Sequence, residues 1–354
     1  MTRPQQPNSP PKRIWASLIT NLSYLPGLLT LHHSLNNPDP DPYTDTDADT
    51  VAKASASAPA SAPPSQGPGT KTGTETGKGK GTKYPFIAFY TSTFPAEGLS
   101  ILAARNIKAQ LVPSIRPNLS LSTAAYAQDP RFAETWNKLV VFSLEEYERV
   151  ILLDGDILIR RDMDELMEVP LDGEKRVFAA AHLIHTTTTG PPKTAPTQPN
   201  TPIPQRHKKP PHPPETGVGM LNSGVLVVQP SSHFYAEIEN GLRDIARIEK
   251  YTFPDQELLS DVFRGRWVAL PYVYNALKTL RMKGVHDVIW RDGEVRAVHY
   301  IFAKKPWHED AREGATGSGD GSGLDGLGLD ETGLWWWRAN WERMRVERGV
   351  GDFG

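Results

Sequence analysis

Short, wholly apolar runs alternate along this chain with longer segments whose apolar residues recur every three or four positions. The first pattern is that of buried strands and the second that of amphipathic helices. RIWASLIT (13–20) reads as a first strand, followed by a turn around Asn21 and a helix from about Tyr24 to Leu35. YPFIAFYT (84–91) is a second buried strand, and Ala96 to Lys108 reads as a helix. Pro130 to Tyr147 carries Phe132, Trp136, Leu139, Val140 and Ser143 at helical spacing. ERVILLDGD (148–156) is an apolar run ending in acid, and RVFAAAH and SGVLVVQP are further strands. Ser231 to Ile248 places Phe234, Ile238, Leu242 and Ile245 on one helical face, with serines before it as caps. VRAVHYI (295–301) is a late strand, and LWWWRANWERM (334–344) reads as a helix packing on the domain. Strands alternating with helices predict an α/β fold: a mainly parallel central sheet flanked by helices. Ligands bind such sheets beyond the carboxyl ends of the strands.

Four segments break this pattern. Residues 1–12 are Pro-rich, 36–82 are rich in Asp, Thr, Ala, Ser, Pro, Gly and Lys, 186–216 are Pro-rich and basic, and 314–333 are rich in Gly, Asp and Ser. Such compositions offer little to bury against the entropy of ordering. Setting them aside leaves roughly 240 residues, the size of one domain with a substantial core. The expected layout is a tail at 1–12 and a single domain over 13–350, with insertions at 36–82, 186–216 and 314–333. The 39 Lys and Arg nearly balance the 41 Asp and Glu, for a net charge of −2. That gives no bulk attraction to nucleic acid, and any phosphate site must be local. With no cysteine, a metal needs oxygen or imidazole ligands, which suits Mn²⁺ or Mg²⁺. The N-terminus lacks the apolar core of a signal peptide, and no run is long enough to span a membrane. The expectation is a cytoplasmic protein.

Chemistry concentrates at a few points. In VILLDGDILI, an apolar strand stops at Asp154, Gly155 and Asp156. Two carboxylates at a strand end can share one divalent cation, with Gly155 allowing a tight turn between them. The cation would neutralise a diphosphate leaving group. The triplet alone is weak evidence, since one Asp-x-Asp is expected about once by chance at this length. The Asp162–Asp164 pair makes the point, and a strand-end turn or a helix cap explains Asp154 equally well. His299 closes an apolar strand, with Lys305-Pro306-Trp307 six residues on. The imidazole can be a third metal ligand and Lys305 a point charge for phosphate. The plainer alternative is a half-buried histidine, a solvated lysine and a packing Pro-Trp. Asn222-Ser223-Gly224, before a strand, is either a turn or a polar edge for sugar hydroxyls. Asp255 and Gln256, at a helix start, either cap it or read a sugar ring.

In this order the blocks resemble glycosyltransferase family 8, which includes glycogenin and galactinol synthase. The resemblance runs from about Arg13 to Trp307. It implies a GT-A fold, a UDP-sugar donor, Mn²⁺ or Mg²⁺, and transfer of a hexosyl or related sugar to an acceptor hydroxyl with retention of configuration. Residue by residue, Leu18, Thr20, Asn21 and Tyr24 resemble the family's uridine contacts, and Lys138 the lysine near the donor. Asp154 and Asp156, around Gly155, resemble its metal pair, with His299 as third ligand and Lys305 on the diphosphate. Asn222, Ser223 and Gly224 resemble the family's donor-sugar edge, and Asp255-Gln256 its pair near the reacting carbon. Asp255 would serve as nucleophile, or Gln256 would support a short-lived oxocarbenium ion. Relatives such as glycogenin form dimers, which raises a homodimer as an option.

Two departures stand out. Phe302 replaces a glycine common in the family three residues after the histidine, and would crowd the phosphate loop. The stretch after Tyr274-Asn275 has no tyrosine before His299, so self-glucosylation of the glycogenin kind is not expected there. A competing reading is a non-catalytic sugar-nucleotide binder or scaffold, with segment 191–214 docking an SH3-type partner in polyproline form. A phosphohydrolase using Asp154 and Asp156 would explain neither the Asn-Ser-Gly nor the Lys-Pro-Trp block.

Overall fold

The structure is a computed structural model that describes residues 12–39, 79–119, 132–183, 217, 219–283, 289–309 and 330–350. The tail, most of the three insertions and the Pro-rich 191–214 segment lie outside the described residues. The edges of two insertions fall inside them. Thr82 accepts a hydrogen bond from the Trp15 indole at 2.9 Å, and the segment expected to run to 333 gives way to a helix at Glu331.

Seven strands form the main sheet: β1 (Arg13–Ile19), β2 (Phe86–Tyr90), β3 (Lys108–Leu111), β4 (Arg149–Leu153), β6 (Phe178–His182), β7 (Leu221–Val228) and β8 (Val268–Leu270). Their order is β3-β2-β1-β4-β7-β6-β8. Only β7 runs against its neighbours, so the sheet is mainly parallel, as expected. A second sheet, in the order β5-β10-β9, joins β5 (Ile157–Ile159), β9 (Ala276–Leu277) and β10 (Ala297–His299).

The apolar runs are continuous because both faces of the main sheet are covered. Side chains alternate along a strand, and alternate residues enter different cores. Ile14, Ile87, Val150, Leu152, Leu226 and Val228 face one core. Trp15, Phe86, Ile151, Leu153, Val225 and Val227 face the other. Helix α1 (Leu25–Asn36) covers the second face, with Leu28 and Leu31 fully buried. The last helix, α7 (Glu331–Val350), packs on α1 and on the small sheet. Thr30 donates to the Asn340 carboxamide oxygen at 3.1 Å, and Trp335 and Trp336 enter a third core with Leu158, Leu277 and Val298.

Three helical expectations are corrected. The helix begun at Ala96 (α2) stops at Ala104, because Asn106 adopts a left-handed conformation (φ 56°), and Lys108 belongs to edge strand β3. The segment expected to be helical from Pro130 to Tyr147 is one α-turn, α3 (Phe132–Thr135), followed by a 3-10 helix over Trp136–Ser143. Leu139, Val140, Val141 and Phe142 are all buried. A segment buried on successive positions, with paired β-branched residues, has no solvated face and a lowered α propensity. The stretch Ser231–Ile248 breaks after α4 (Ser232–Leu242), where Asp244 caps a new turn, α5 (Ile245–Ile248), by accepting from Arg247 N at 3.2 Å. Helix α6 (Pro254–Val262) starts where Asp255-Gln256 placed it.

Candidate active site

Strand β4 ends at Leu153, and the chain then leaves the main sheet. The next strand, β5, belongs to the small one. Asp154-Gly155-Asp156 is therefore the corner where the chain changes sheets. Register brings the other parts to it. In the small sheet His299 pairs with Ile157, next to Asp156, and Tyr300 N donates to Asp156 O at 3.0 Å. In the main sheet Leu153 pairs with Val225, and Asp154 N donates to Gly224 O at 2.9 Å. Ser17 pairs with Leu153, which sets Leu18, Ile19 and the turn after β1 alongside the same corner.

The structure thus brings together Asp154, Asp156 and His299. One ligand atom from each lies within 4.8 Å of the others. His299 Nε2 is 3.3 Å from Asp156 Oδ1 and 3.7 Å from Asp154 Oδ2. The Asp154 side chain keeps 21% of its surface, against 8% for Asp156 and 6% for His299, so the corner opens to solvent on the Asp154 side. Two carboxylates and one imidazole converging at this range fit a divalent cation that prefers oxygen and nitrogen ligands.

Two lysines press on the carboxylates. Lys305 Nζ, buried, donates to Asp156 Oδ2 at 2.6 Å and to the Tyr300 carbonyl at 2.7 Å. Lys138 Nζ donates to Asp154 at 2.8 Å and to Ser223 Oγ at 3.2 Å, and lies 3.6 Å from Asp255. Burial works to raise the Asp156 carboxyl, but His299 and Lys305 overcome it and hold it below the usual range. Burial pushes the Asp154 carboxyl up against the pull of Lys138, helped by the charge of Asp156. Burial would lower Lys138, yet Asp154 and Asp255 outweigh it and raise the ammonium above its ordinary value. Two adjacent carboxylates thus respond in opposite directions.

Asn222-Ser223-Gly224 does not precede a strand; it lies inside β7. The ladder to β6 jumps from Leu226 to Asn222 while β6 advances only from Ala180 to Ala181. That irregularity, at a tripeptide that read as either a turn or a polar edge, lies against the corner. Ser223 Oγ donates to Asp255 Oδ2 at 2.5 Å, and Ser223 N donates to Gln256 Oε1 at 3.2 Å. The two halves of the sugar-edge expectation therefore meet: β7 and the first turn of α6 are hydrogen-bonded to each other beside Lys138.

At the other flank, the turn after β1 touches the loop after β10. Trp307 Nε1 donates to Ser23 O at 2.9 Å, and its ring packs edge-on to Tyr24 at 5.7 Å. Asn21 is exposed and accepts from Ser23 N at 3.1 Å, whereas Leu18, Thr20 and Tyr24 are half-buried. Phe302 is exposed, not packed into the corner.

Gly155 is not the glycine that the corner needs. It has no left-handed φ, and a Cβ there would meet nothing closer than Tyr24 at 3.8 Å. Gly27 is the constrained position. A Cβ on it would fall 2.3 Å from Gly155 O and 2.6 Å from the Trp307 ring. Gly224 is constrained as well, since a Cβ there would fall 2.4 Å from the His299 imidazole. Sequence reasoning also passed over Asn275, which is 2% exposed and contacts His299 Nδ1 at 2.9 Å. The signal available was an amide following an apolar, aromatic stretch, where a buried polar group requires a partner.

The sequence model described as Glycosyl transferase family 8 matches residues 19–311. Among curated relatives, galactinol synthase 1 of Solanum lycopersicum is 26% identical over 231 residues, covering 65% of this chain and 66% of its own length. The uncharacterized protein R707 of Acanthamoeba polyphaga mimivirus is 25% identical over 186 residues, covering 51% of this chain and 57% of its own length. The chain thus spans somewhat under two thirds of these relatives. Among solved structures, the apo-form glycosyltransferase GlyE of Streptococcus pneumoniae TIGR4 superposes with a TM-score of 0.51 at 14% identity, over 95% of this chain and 63% of that one. At that identity the likeness speaks for the fold, which is the expected GT-A arrangement. The family match begins at the end of β1 and closes just past Trp307, so that it encloses Asp154, Asp156, His299 and both lysines: the chain belongs to glycosyl transferase family 8.

Proposed function

We propose that the chain is a retaining glycosyltransferase. It would move a hexosyl or related sugar from a UDP-sugar to an acceptor hydroxyl, on one domain spanning about residues 13–350. The observation that carries this reading is the convergence of Asp154, Asp156 and His299 from two different sheets, with a lysine against each carboxylate. Asp154, Asp156 and His299 would hold Mn²⁺ or Mg²⁺. When bound, the ion supplies positive charge to the two phosphates as UDP departs.

The chain's own groups have separate tasks. Lys305, fixed by the Tyr300 carbonyl, presents an ammonium whose direction does not depend on substrate. Such preorganised charge is the kind that stabilises a leaving group. Lys138 supplies a second charge between the metal corner and Asp255. Leu18, Thr20, Asn21 and Tyr24 would receive the uridine; in support, β1 pairs with β4 up to Ser17–Leu153, one residue short of Asp154. Asn222, Ser223 and Gly224, with Gly155, would line the sugar side. The Ser223 hydroxyl is committed to Asp255, which orients that carboxylate either as nucleophile or as a neighbour of the charge that Gln256 would stabilise.

The test is UDP release from UDP-glucose, UDP-galactose, UDP-xylose and UDP-N-acetylglucosamine with Mn²⁺. Inositol is included among the acceptors because one relative is named a galactinol synthase. Metal-dependent release lost in Asp156→Asn is the expected result. Metal-independent release, equal in both proteins, would reject the proposal.

A further inference from the structure

Which ring nitrogen of His299 carries a proton can be deduced from a backbone amide two links away. Gly224 N–H is a donor without alternative, and it points at the Asn222 side chain at 2.9 Å. The Asn222 atom there must be the carboxamide oxygen. That same oxygen lies 2.7 Å from the Asn275 side chain, so Asn275 must present its NH₂ to it. The Asn275 oxygen is then turned to His299, 2.9 Å from Nδ1. An oxygen accepts only from a protonated nitrogen, so Nδ1 carries hydrogen. In the neutral ring the lone pair is then left on Nε2, the nitrogen that faces Asp156 and Asp154 at 3.3 and 3.7 Å. All members of the relay are buried: Asn222 6%, Asn275 2% and His299 5% exposed. Gly224 also provides the floor, because any Cβ there would occupy the space of the imidazole.

We propose that Asn275, anchored through Asn222 to the Gly224 amide, is a positioning residue that locks His299 in the Nδ1–H tautomer and thereby aims Nε2 at the Asp154–Asp156 corner. The inference about metal affinity rests on the metal reading above; the inference about the tautomer does not. Partners of this kind fix both the ring orientation and the basicity of a ligating imidazole. Two halves of the Asn275 carboxamide do different jobs. The oxygen holds His299, and the nitrogen ties Asn275 to Asn222. Aspartate at this position keeps the first and loses the second, whereas leucine loses both.

The experiment combines long-range ¹H–¹⁵N correlation spectra of the histidine side chains with Mn²⁺ titration followed by electron paramagnetic resonance. It uses the full chain as wild type, Asn275→Asp and Asn275→Leu, with His299→Gln to assign the resonance. The expected spectrum shows His299 protonated at Nδ1 in the metal-free wild type at a pH where the ring is neutral. Mn²⁺ affinity is expected to fall about 10- to 100-fold in Asn275→Leu and to stay within about threefold of wild type in Asn275→Asp. A thermal melt of each variant separates this from unfolding, since both variants lose the Asn222 link. His299 protonated at Nε2 instead would overturn the proposal, whatever the metal does. So would Mn²⁺ affinity unchanged in Asn275→Leu, or lost equally in Asn275→Asp. Wild type that binds no Mn²⁺, yet shows Nδ1–H, would reject the metal reading and leave the tautomer assignment standing.

Discussion

Two Asp-x-Asp triplets lie eight positions apart in this chain and do different things. At Asp162-Met163-Asp164 the carboxylates are spent on tying down backbone amides and a hydroxyl. Asp162 Oδ1 accepts from Asp164 N at 2.8 Å, and Asp164 accepts from the Thr82 hydroxyl at 2.5 Å and from Lys83 N at 3.1 Å. At Asp154-Gly155-Asp156 the carboxylates face an imidazole and two ammonium groups, side chains brought in by other elements of the fold. The first pair ties down a chain segment; the second concentrates charge at the point where one sheet hands over to another. The triplet itself carries little information, and the company it keeps carries the rest.

The comparison can be broken most sharply by neutralising one carboxylate of each pair. Asp156→Asn should lower sugar-transfer turnover by at least about a hundredfold, the scale of losing a preorganised charge contact at a reacting centre. Steady-state UDP release with saturating Mn²⁺ measures it. Next comes the approach of α1 to the corner. Alanine is the better helix former by roughly 1 kcal/mol, yet Gly27→Ala would place a methyl 2.3 Å from Gly155 O. Overpacking of about 1–3 kcal/mol should win, giving net destabilisation in a denaturant melt. Unchanged or raised stability would show that α1 does not press on the corner. Asp164→Asn should cost on the order of 1 kcal/mol of stability, by weakening its bonds to Thr82 and Lys83, and leave turnover nearly untouched. A large loss of turnover there would erase the distinction between the triplets.

The effect that is smallest at neutral pH guards the others against confusion with acid unfolding. Burial, with some help from His33, pushes the His32 imidazole down to about 4. The folded chain therefore keeps His32 neutral over a range in which the unfolded chain, near 6.5, takes up a proton. The stability it contributes is complete above about pH 6.5 and is lost as pH falls toward 4. His32→Gln should flatten that part of the stability–pH curve. An unchanged curve would place the acid sensitivity elsewhere.

Much of this architecture is written in local pattern. Five strands of the main sheet, β1, β2, β4, β6 and β7, read directly because both faces are buried, and continuous apolar runs bounded by polar residues have few other solutions; the two edge strands, the exposed β3 and the three-residue β8, did not. The carboxylate corner was legible only through the order of the blocks that resemble the family, since the triplet alone is explained equally well by a strand-end turn or a cap. Long-range features were less legible. Asn222-Ser223-Gly224 has the composition of a turn, and only the pairing of β7 with β6 makes it an irregularity inside a strand. Gly155 drew attention by lying between the acids. The steric demand instead falls on Gly27 and Gly224, whose close neighbours come from other parts of the chain. The 3-10 segment over Trp136–Ser143 shows the same limit: helical spacing identifies a buried stripe without fixing the pitch. The convergence of His299 on Asp156 follows from an antiparallel register that no local window contains.

The central claim is tested most directly by the anomalous scattering of Mn²⁺ in crystals of the protein grown with UDP. The account predicts one strong peak within ligand distance, about 2.0–2.3 Å, of Asp154, Asp156 and His299 Nε2. A peak lodged at Asp162–Asp164 instead, or no peak near His299 despite bound UDP, would contradict it.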